Sequence, residues 1–247
     1  MKNFLIAWQF LTIFPVQIKS EIKNKDHGAS LLYFPLIGLL IGLLLASSAF
    51  ISSFLPNLVR GALILIIPII ITGGIHLDGF IDTCDGFYGD RPKEKILEIM
   101  RDSRIGVMGA IGIVTLLLLK FTLIVSIPPE YLWKSLIMMV VFSRWSQGLA
   151  CLVSKYARSE GKAKFFIEYA KRKDIIIGAL FTLALFLLMA KLKGILIFAL
   201  VFLCSLLFIQ YVKRKIGGMT GDTIGATSEV AEVATLFFTL ISSTIFQ

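Results

Sequence analysis

Seven apolar segments, each about long enough to cross a bilayer, constrain this chain more than any other feature. A spanning helix needs roughly 20 mostly apolar residues. Candidates fall at about 29–54, 58–75, 105–127, 133–153, 174–190, 194–212 and 230–246. A soluble core cannot absorb a chain of 247 residues that is 57% hydrophobic. The expected fold is all-α: a polytopic helical membrane protein, read as one integral-membrane unit over 1–247. Asn3 to Phe14 is apolar but too short to span. It is expected to form an N-terminal interfacial helix, with Trp8 and Gln9 near the headgroups. No small-residue cleavage site follows Phe14-Pro15-Val16-Gln17, so no signal peptide is expected. Cys84, Cys151 and Cys204 are scattered and suggest neither a disulfide framework nor a thiolate metal site.

The formal charge of +9 raises nucleic acid as a partner, but in a membrane protein such charge sets orientation first. With the N-terminus in the cytoplasm, most of the 25 lysines and arginines fall on the cytoplasmic side. The opposite side holds Arg60, Lys134, Lys191 and Lys193, while Lys120 and Arg144 lie within spans. This bias places both polar motif segments, near residues 76–104 and 213–229, on the cytoplasmic side and predicts an outside C-terminus. The segment 154–173 is rich in lysine and arginine, with Tyr156, Phe165, Phe166 and Tyr169 interleaved. A surface helix explains it most simply, and binding to anionic lipid or substrate is the sharper alternative.

The chemistry concentrates in GGIHLDGFIDTCDGFYGD, Gly73 to Asp90. Acidic groups at the mouth of the bilayer are costly and usually functional. Asp78, Asp82 and Asp85 stand at i, i+4 and i+7, which puts them on one face if the chain is helical from Asp78. Carboxylates that share a face need protons or a cation, and Mg2+ held through carboxylates, water and phosphate oxygens meets that need. His76 points nearly the opposite way and joins the site only if Gly73-Gly74 or Gly79 unwinds the backbone. Arg101, Asp102 and Arg104 follow a short amphipathic stretch, where guanidinium groups suit phosphate or ordinary interfacial anchoring.

A second cluster is GGMTGDTIGATSEVAE, Gly217 to Glu232. Asp222 and Glu229 share a helical face, and Glu232 follows Glu229 by one turn. Glu229 and Glu232 are expected to open the last span, where carboxylates also complement a helix N-terminus. Gly221 and Gly225 make a GxxxG pair suited to close helix packing. Arg144, in mid-span, should face the bundle and pair with an acid or a phosphate. Lys120 is expected to snorkel toward the far face.

At these residues the sequence resembles the cobalamin synthase family of adenosylcobinamide-GDP ribazoletransferases. WQFLTIFPV, FPLIGLLIG, GGIHLDGFIDTCDGFYGD, DSRIGVMGAIG, FSRW and GGMTGDTIGATSEVAE carry the resemblance, in order and nearly end to end. The resemblance implies that adenosylcobinamide-GDP is joined to alpha-ribazole or its 5′-phosphate, with release of GMP, late in cobalamin assembly. On that reading Mg2+ is the cofactor, held by Asp78, Asp82 and Asp85, with Asp90 a further candidate. Arg101 and Arg104, with Arg144 in mid-span, would hold phosphate. Asp102, Asp222 or His76 would accept the ribose hydroxyl proton, and Glu229 and Glu232 form a secondary acidic cluster.

The implied partners are the corrinoid nucleotide, alpha-ribazole and membrane lipid, with no nucleic acid. Pairing with a second copy or with other cobalamin-assembly enzymes stays open. The implied location is the inner membrane of a prokaryote. A CDP-alcohol phosphotransferase is the competing enzyme, but Asp78-Gly79 is followed by Phe80-Ile81 rather than that family's arginine. A divalent-cation transporter would place its acids near the bilayer midplane on several helices.

Overall fold

The computed structural model describes residues 1–245, and all but one short bridge of its regular structure is helical. The last expected span, to residue 246, therefore ends just outside the described residues. Helix α1 (Lys2–Leu11) buries Ile6, Ala7 and Leu11. It packs beside α2 (Asn24–Ser30) and the 3-10 turn Leu31–Tyr33, with Phe4 edge-on to Tyr33. Lys2 bonds Asp26 at 2.6 Å, tying the start of α1 to α2.

α3 (Phe34–Ile51) lies against α8 (Pro129–Leu152), the central helix, whose side chains are buried without a break from Ser135 to Cys151. The apolar residues of α8 fall on every side of the helix, and Ser143, Arg144 and Gln147 between them are buried with polar partners. Two glycines set the α3–α8 distance. A Cβ on Gly38 would stand 2.8 Å from the Val140 carbonyl, and one on Gly42 would stand 2.9 Å from the Ile137 Cα. Small residues let spanning helices approach backbone to backbone.

α4 (Asn57–Thr72) and α5 (Ile75–Phe87) are one apolar run broken by a 93° bend. Gly73 and Gly74 make that bend with φ of 63° and 69°, the left-handed region open to glycine. The bend turns α5 out of line with α4, and α5 packs against the helices at Val107–Ser126 and Gly221–Ile245. The short α6 (Lys93–Ile99) follows, then α7 (Val107–Ser126). α9 (Lys164–Glu168) is one turn.

α10 (Arg172–Ile216) runs 45 residues without a loop, yet it folds back on itself at Lys191, where φ is 54°. A Cβ on Gly194 would meet the Phe186 carbonyl at 2.1 Å, and the Phe186 and Phe198 rings lie 5.7 Å apart. A straight helix would separate the latter pair by about 18 Å. The expected spans at 174–190 and 194–212 are therefore the two arms of a hairpin. α11 (Gly221–Ile245) ends the described chain.

Among the described residues, five helices are long and apolar enough to cross a membrane, and α4 with α5 qualifies as a bent pair. The reading of seven differs only in counting the two arms of α10 separately. The polar segments 76–104, 154–173 and 213–229 meet at one end. Lys134, Lys191 and Lys193 share a cleft at the other, and Arg60 lies beside Trp133 there.

Candidate active site

Two glycines bring the acidic motifs together. A Cβ on Gly79 would sit 2.6 Å from the Asp222 carbonyl oxygen, and one on Gly225 would sit 3.2 Å from the His76 Cα. α5 and α11 thus cross with their backbones in contact, and Asp222 enters the field of Asp78 and Asp82. Gly225 of the GxxxG pair makes this close approach, whereas Gly221 meets only the Ala163 methyl at 3.5 Å.

The third polar segment completes the site. Ala157 N–H donates to the Met219 carbonyl and Met219 N–H to the Lys155 carbonyl, each at 2.9 Å. This bridge fixes the loop after α8 against the start of α11. Gly218 allows it, since a Cβ there would stand 2.4 Å from the Lys155 carbonyl. The bridge aims Arg158 inward, where it pairs with Asp222 at 2.9 Å and donates to the Met100 carbonyl at 3.2 Å. Sequence reading left Arg158 among the cations of a basic stretch. Its only signal there was the sharper alternative of substrate binding.

These elements enclose a cavity of about 250 Å3. Its polar wall holds His76, Asp78, Gln147, Arg158, Lys162 and Asp222. Burial, then Asp222 and Asp78, push the Asp82 carboxyl up to about 7. Arg158 pulls the other way, but one guanidinium does not balance three carboxylates. That surplus is what a cation would relieve.

Several expected roles change. Asp85 accepts from the Gly106 and Gly109 backbone amides at 2.8 and 2.7 Å. It caps the N-terminus of α7, so both its oxygens already serve the fold. Asp90 is exposed in the bend after α5. Asp102 and Arg104 hold each other in a two-point ion pair at the surface, with contacts of 3.0 and 2.6 Å. The Arg104 guanidinium lowers the Asp102 carboxyl to about 2, which makes Asp102 a weak base. Arg101 is exposed, within the electrostatic reach of Tyr156 at the cavity wall.

Glu229 and Glu232 do not open a span. α11 begins at Gly221, where Thr220 caps it by accepting from the Thr223 amide at 3.2 Å, so both glutamates lie turns deeper and are buried. Lys120 does not snorkel: it is buried, bonding Glu232 at 2.6 Å and also Glu229. Arg144 takes the acid, not a phosphate. It meets Glu232 at 3.3 Å and the Ser228 hydroxyl at 2.8 Å. His76 stays helical and buried, its Nε2 2.8 Å from the Gln147 amide nitrogen. It stands between this buried quartet and the cavity, lining both.

Among the described residues no three His, Cys, Asp or Glu side chains already stand close enough to hold a metal ion. Mg2+ does not require such a cage. It takes one or two carboxylates and completes its shell with water and substrate phosphate. One or two of Asp78, Asp82 and Asp222, which act on one another electrostatically, fit that pattern.

Fold and site define a class: a polytopic helical membrane protein with an acid-rich, arginine-bearing cavity at one end of its bundle. The chain belongs to the cobalamin-5-phosphate synthase family, whose model matches residues 3–240. Similar proteins include the adenosylcobinamide-GDP ribazoletransferase of Clostridium acetobutylicum, 37% identical over 93% of this chain and 92% of the relative. That of Geotalea daltonii is 35% identical over 96% of both chains. That of Fusobacterium nucleatum is 32% identical over all of this chain and 99% of its own length. No solved structure matches the chain.

Proposed function

We propose that this protein is an adenosylcobinamide-GDP ribazoletransferase, a membrane transferase that works in the nucleotide-loop assembly of cobalamin. It joins adenosylcobinamide-GDP to alpha-ribazole or its 5′-phosphate and releases GMP. One observation carries the reading beyond family membership: Asp78, Arg158 and Asp222 line one cavity from three separate segments, with Asp82 in the electrostatic field of all three.

Asp78, Asp82 and Asp222 are the residues that would hold Mg2+. When bound, Mg2+ supplies positive charge to the pyrophosphate oxygens of the substrate. Arg158 and Lys162 add cationic contacts to the cavity lining, and exposed Arg101 is within electrostatic reach of Tyr156 there. Positioning and charge stabilisation are most of what phosphoryl transfer asks of a protein. The ribazole 3′-hydroxyl attacks the phosphorus on the cobinamide side, and GMP departs with the other phosphate. His76, at the cavity wall, is the group we assign to accept the hydroxyl proton. Asp222 is engaged with Arg158, and Asp102 is held by Arg104.

The polar end faces the cytoplasm on the strength of the lysine and arginine bias. Cysteine labelling at the exposed positions Asp90 and Arg214 should report one side of the membrane, and opposite sides would break the site. The activity is tested with purified protein in lipid, adenosylcobinamide-GDP and alpha-ribazole, with the cobinamide-side phosphorus labelled. Label retained in the corrinoid product supports the mechanism. Label in GMP, or CMP release from a CDP-alcohol with no corrinoid reaction, would overturn it.

A further inference from the structure

The cavity has two unlike walls, and the second has no place yet in the transfer chemistry. Besides the charged groups, the cavity is lined by Phe10 of α1, Phe34 of α3 and Phe166 of α9, with Leu31 and Ile224. The three rings form one aromatic group. Phe10 and Phe166 have centroids 4.5 Å apart, Phe10 and Phe34 5.9 Å, and Phe34 and Phe166 5.8 Å. Phe34 and Phe166 are almost fully buried. They come from helices far apart in sequence, all packed at the same end of the bundle as the acids.

We propose that this aromatic wall is the acceptor-nucleoside subsite and that it takes the apolar benzimidazole base of alpha-ribazole. The proposal rests on the ribazoletransferase reading and names which substrate occupies the enclosed part of the site. Three physical points carry it. The first is size. Pockets for drug-sized ligands start at about 300 Å3, so a cavity of about 250 Å3 suits a compact group of nucleoside scale or smaller and excludes a corrin macrocycle. The corrinoid nucleotide must then present its pyrophosphate from outside, toward Arg158, Lys162 and Asp222.

The second point is chemistry. An aromatic base buries well against aromatic rings, which favour offset and edge-on contacts. A purine carries polar edges that these side chains would leave unpaired, and unpaired buried polar groups are costly. The third is geometry. His76 and Asp78 line the same cavity as Phe10 and Phe166, so a nucleoside whose base packs on the rings keeps its ribose in one enclosure with them. The attacking hydroxyl and its proton acceptor then share that enclosure with the acids.

The test measures each substrate separately in purified protein reconstituted in lipid. Phe10→Leu and Phe166→Leu keep apolar volume but remove the ring, and Phe10→Ala removes the wall. Thermal unfolding of each variant checks that the fold survives. The expected result is a rise of about tenfold or more in KM for alpha-ribazole, the scale of one lost aromatic contact. KM for adenosylcobinamide-GDP should stay within about twofold, a change below one lost contact. Alpha-ribazole should also bind the wild type without corrinoid, and free benzimidazole should compete where adenosine does not. A rise confined to the corrinoid KM, equal rises in both, or equal competition by adenosine would overturn the subsite. If alpha-ribazole binds in a Phe10-dependent manner but no corrinoid product forms, the subsite stands and the reaction assignment falls.

Discussion

Two groups of charges lie within a few turns of each other in this bundle, and they are built on opposite plans. The inner quartet of Lys120, Arg144, Glu229 and Glu232 is buried, balanced in charge and cross-bonded. In the outer group of Asp78, Asp82 and Asp222, Arg158 pairs with Asp222, and Asp78 and Asp222 open on a cavity that Lys162 also lines. Inside a membrane, ionisable groups persist where they pair with one another. The balanced quartet thus reads as a structural joint between α7, α8 and α11. The unbalanced group reads as a site that waits for a cation and a polyphosphate.

Substitutions can break this contrast. The largest effect belongs to Asp82→Asn, which keeps size and removes charge from the outer group. Turnover should fall on the order of 100-fold or more, the scale of losing a group that stabilises the transition state. Thermal stability should hold or rise, because the substitution removes a repelled carboxylate. A variant with normal turnover at limiting Mg2+ would take Asp82 out of the metal site.

Glu232→Gln should do the reverse. It leaves Lys120 and Arg144 facing one acid in a buried setting, and breaking such a pair costs about 3–5 kcal/mol. Unfolding in detergent should show the loss directly. An unchanged midpoint with abolished turnover would move the quartet into the catalytic apparatus.

Arg158→Lys comes next. It keeps the charge but loses the guanidinium whose Nη2 meets both Asp222 and the Met100 carbonyl. KM for the corrinoid nucleotide should rise about tenfold, the scale of one lost hydrogen bond to a charged group. The smallest effect is expected at Asp102, whose partner Arg104 is exposed. Asp102→Asn should change turnover by less than about threefold, as exposed ion pairs contribute little. A large loss there would restore it as a candidate base.

Much of the fold was legible because membrane spans announce themselves by length and apolarity. The Lys191-Leu192-Lys193-Gly194 break in α10 was visible as two short spans for the same reason. The acidic face of α5 was legible from its spacing. What stayed hidden depends on which helices meet. Lys120 could be matched to Glu229 and Glu232 only by knowing that α7 packs on α11, residues 109 and 112 apart in the chain. Asp85 kept the spacing of a ligand, yet it caps α7 because the chain returns past it at Gly106. Arg158 looked like one more cation in a basic stretch until the Tyr156–Met219 bridge placed it. Spacing reports the face of a single helix, while charge balance is decided between helices.

The central claim is that the outer acids act together through a divalent cation. It is tested most directly by following corrinoid product formation in reconstituted protein as Mg2+ is titrated from full chelation upward. The account predicts no product at zero metal and a saturable rise, with the midpoint for Asp82→Asn displaced to higher Mg2+ and that for Asp102→Asn unmoved. Full turnover after complete chelation, or an Asp82→Asn midpoint identical to the wild type, would contradict it.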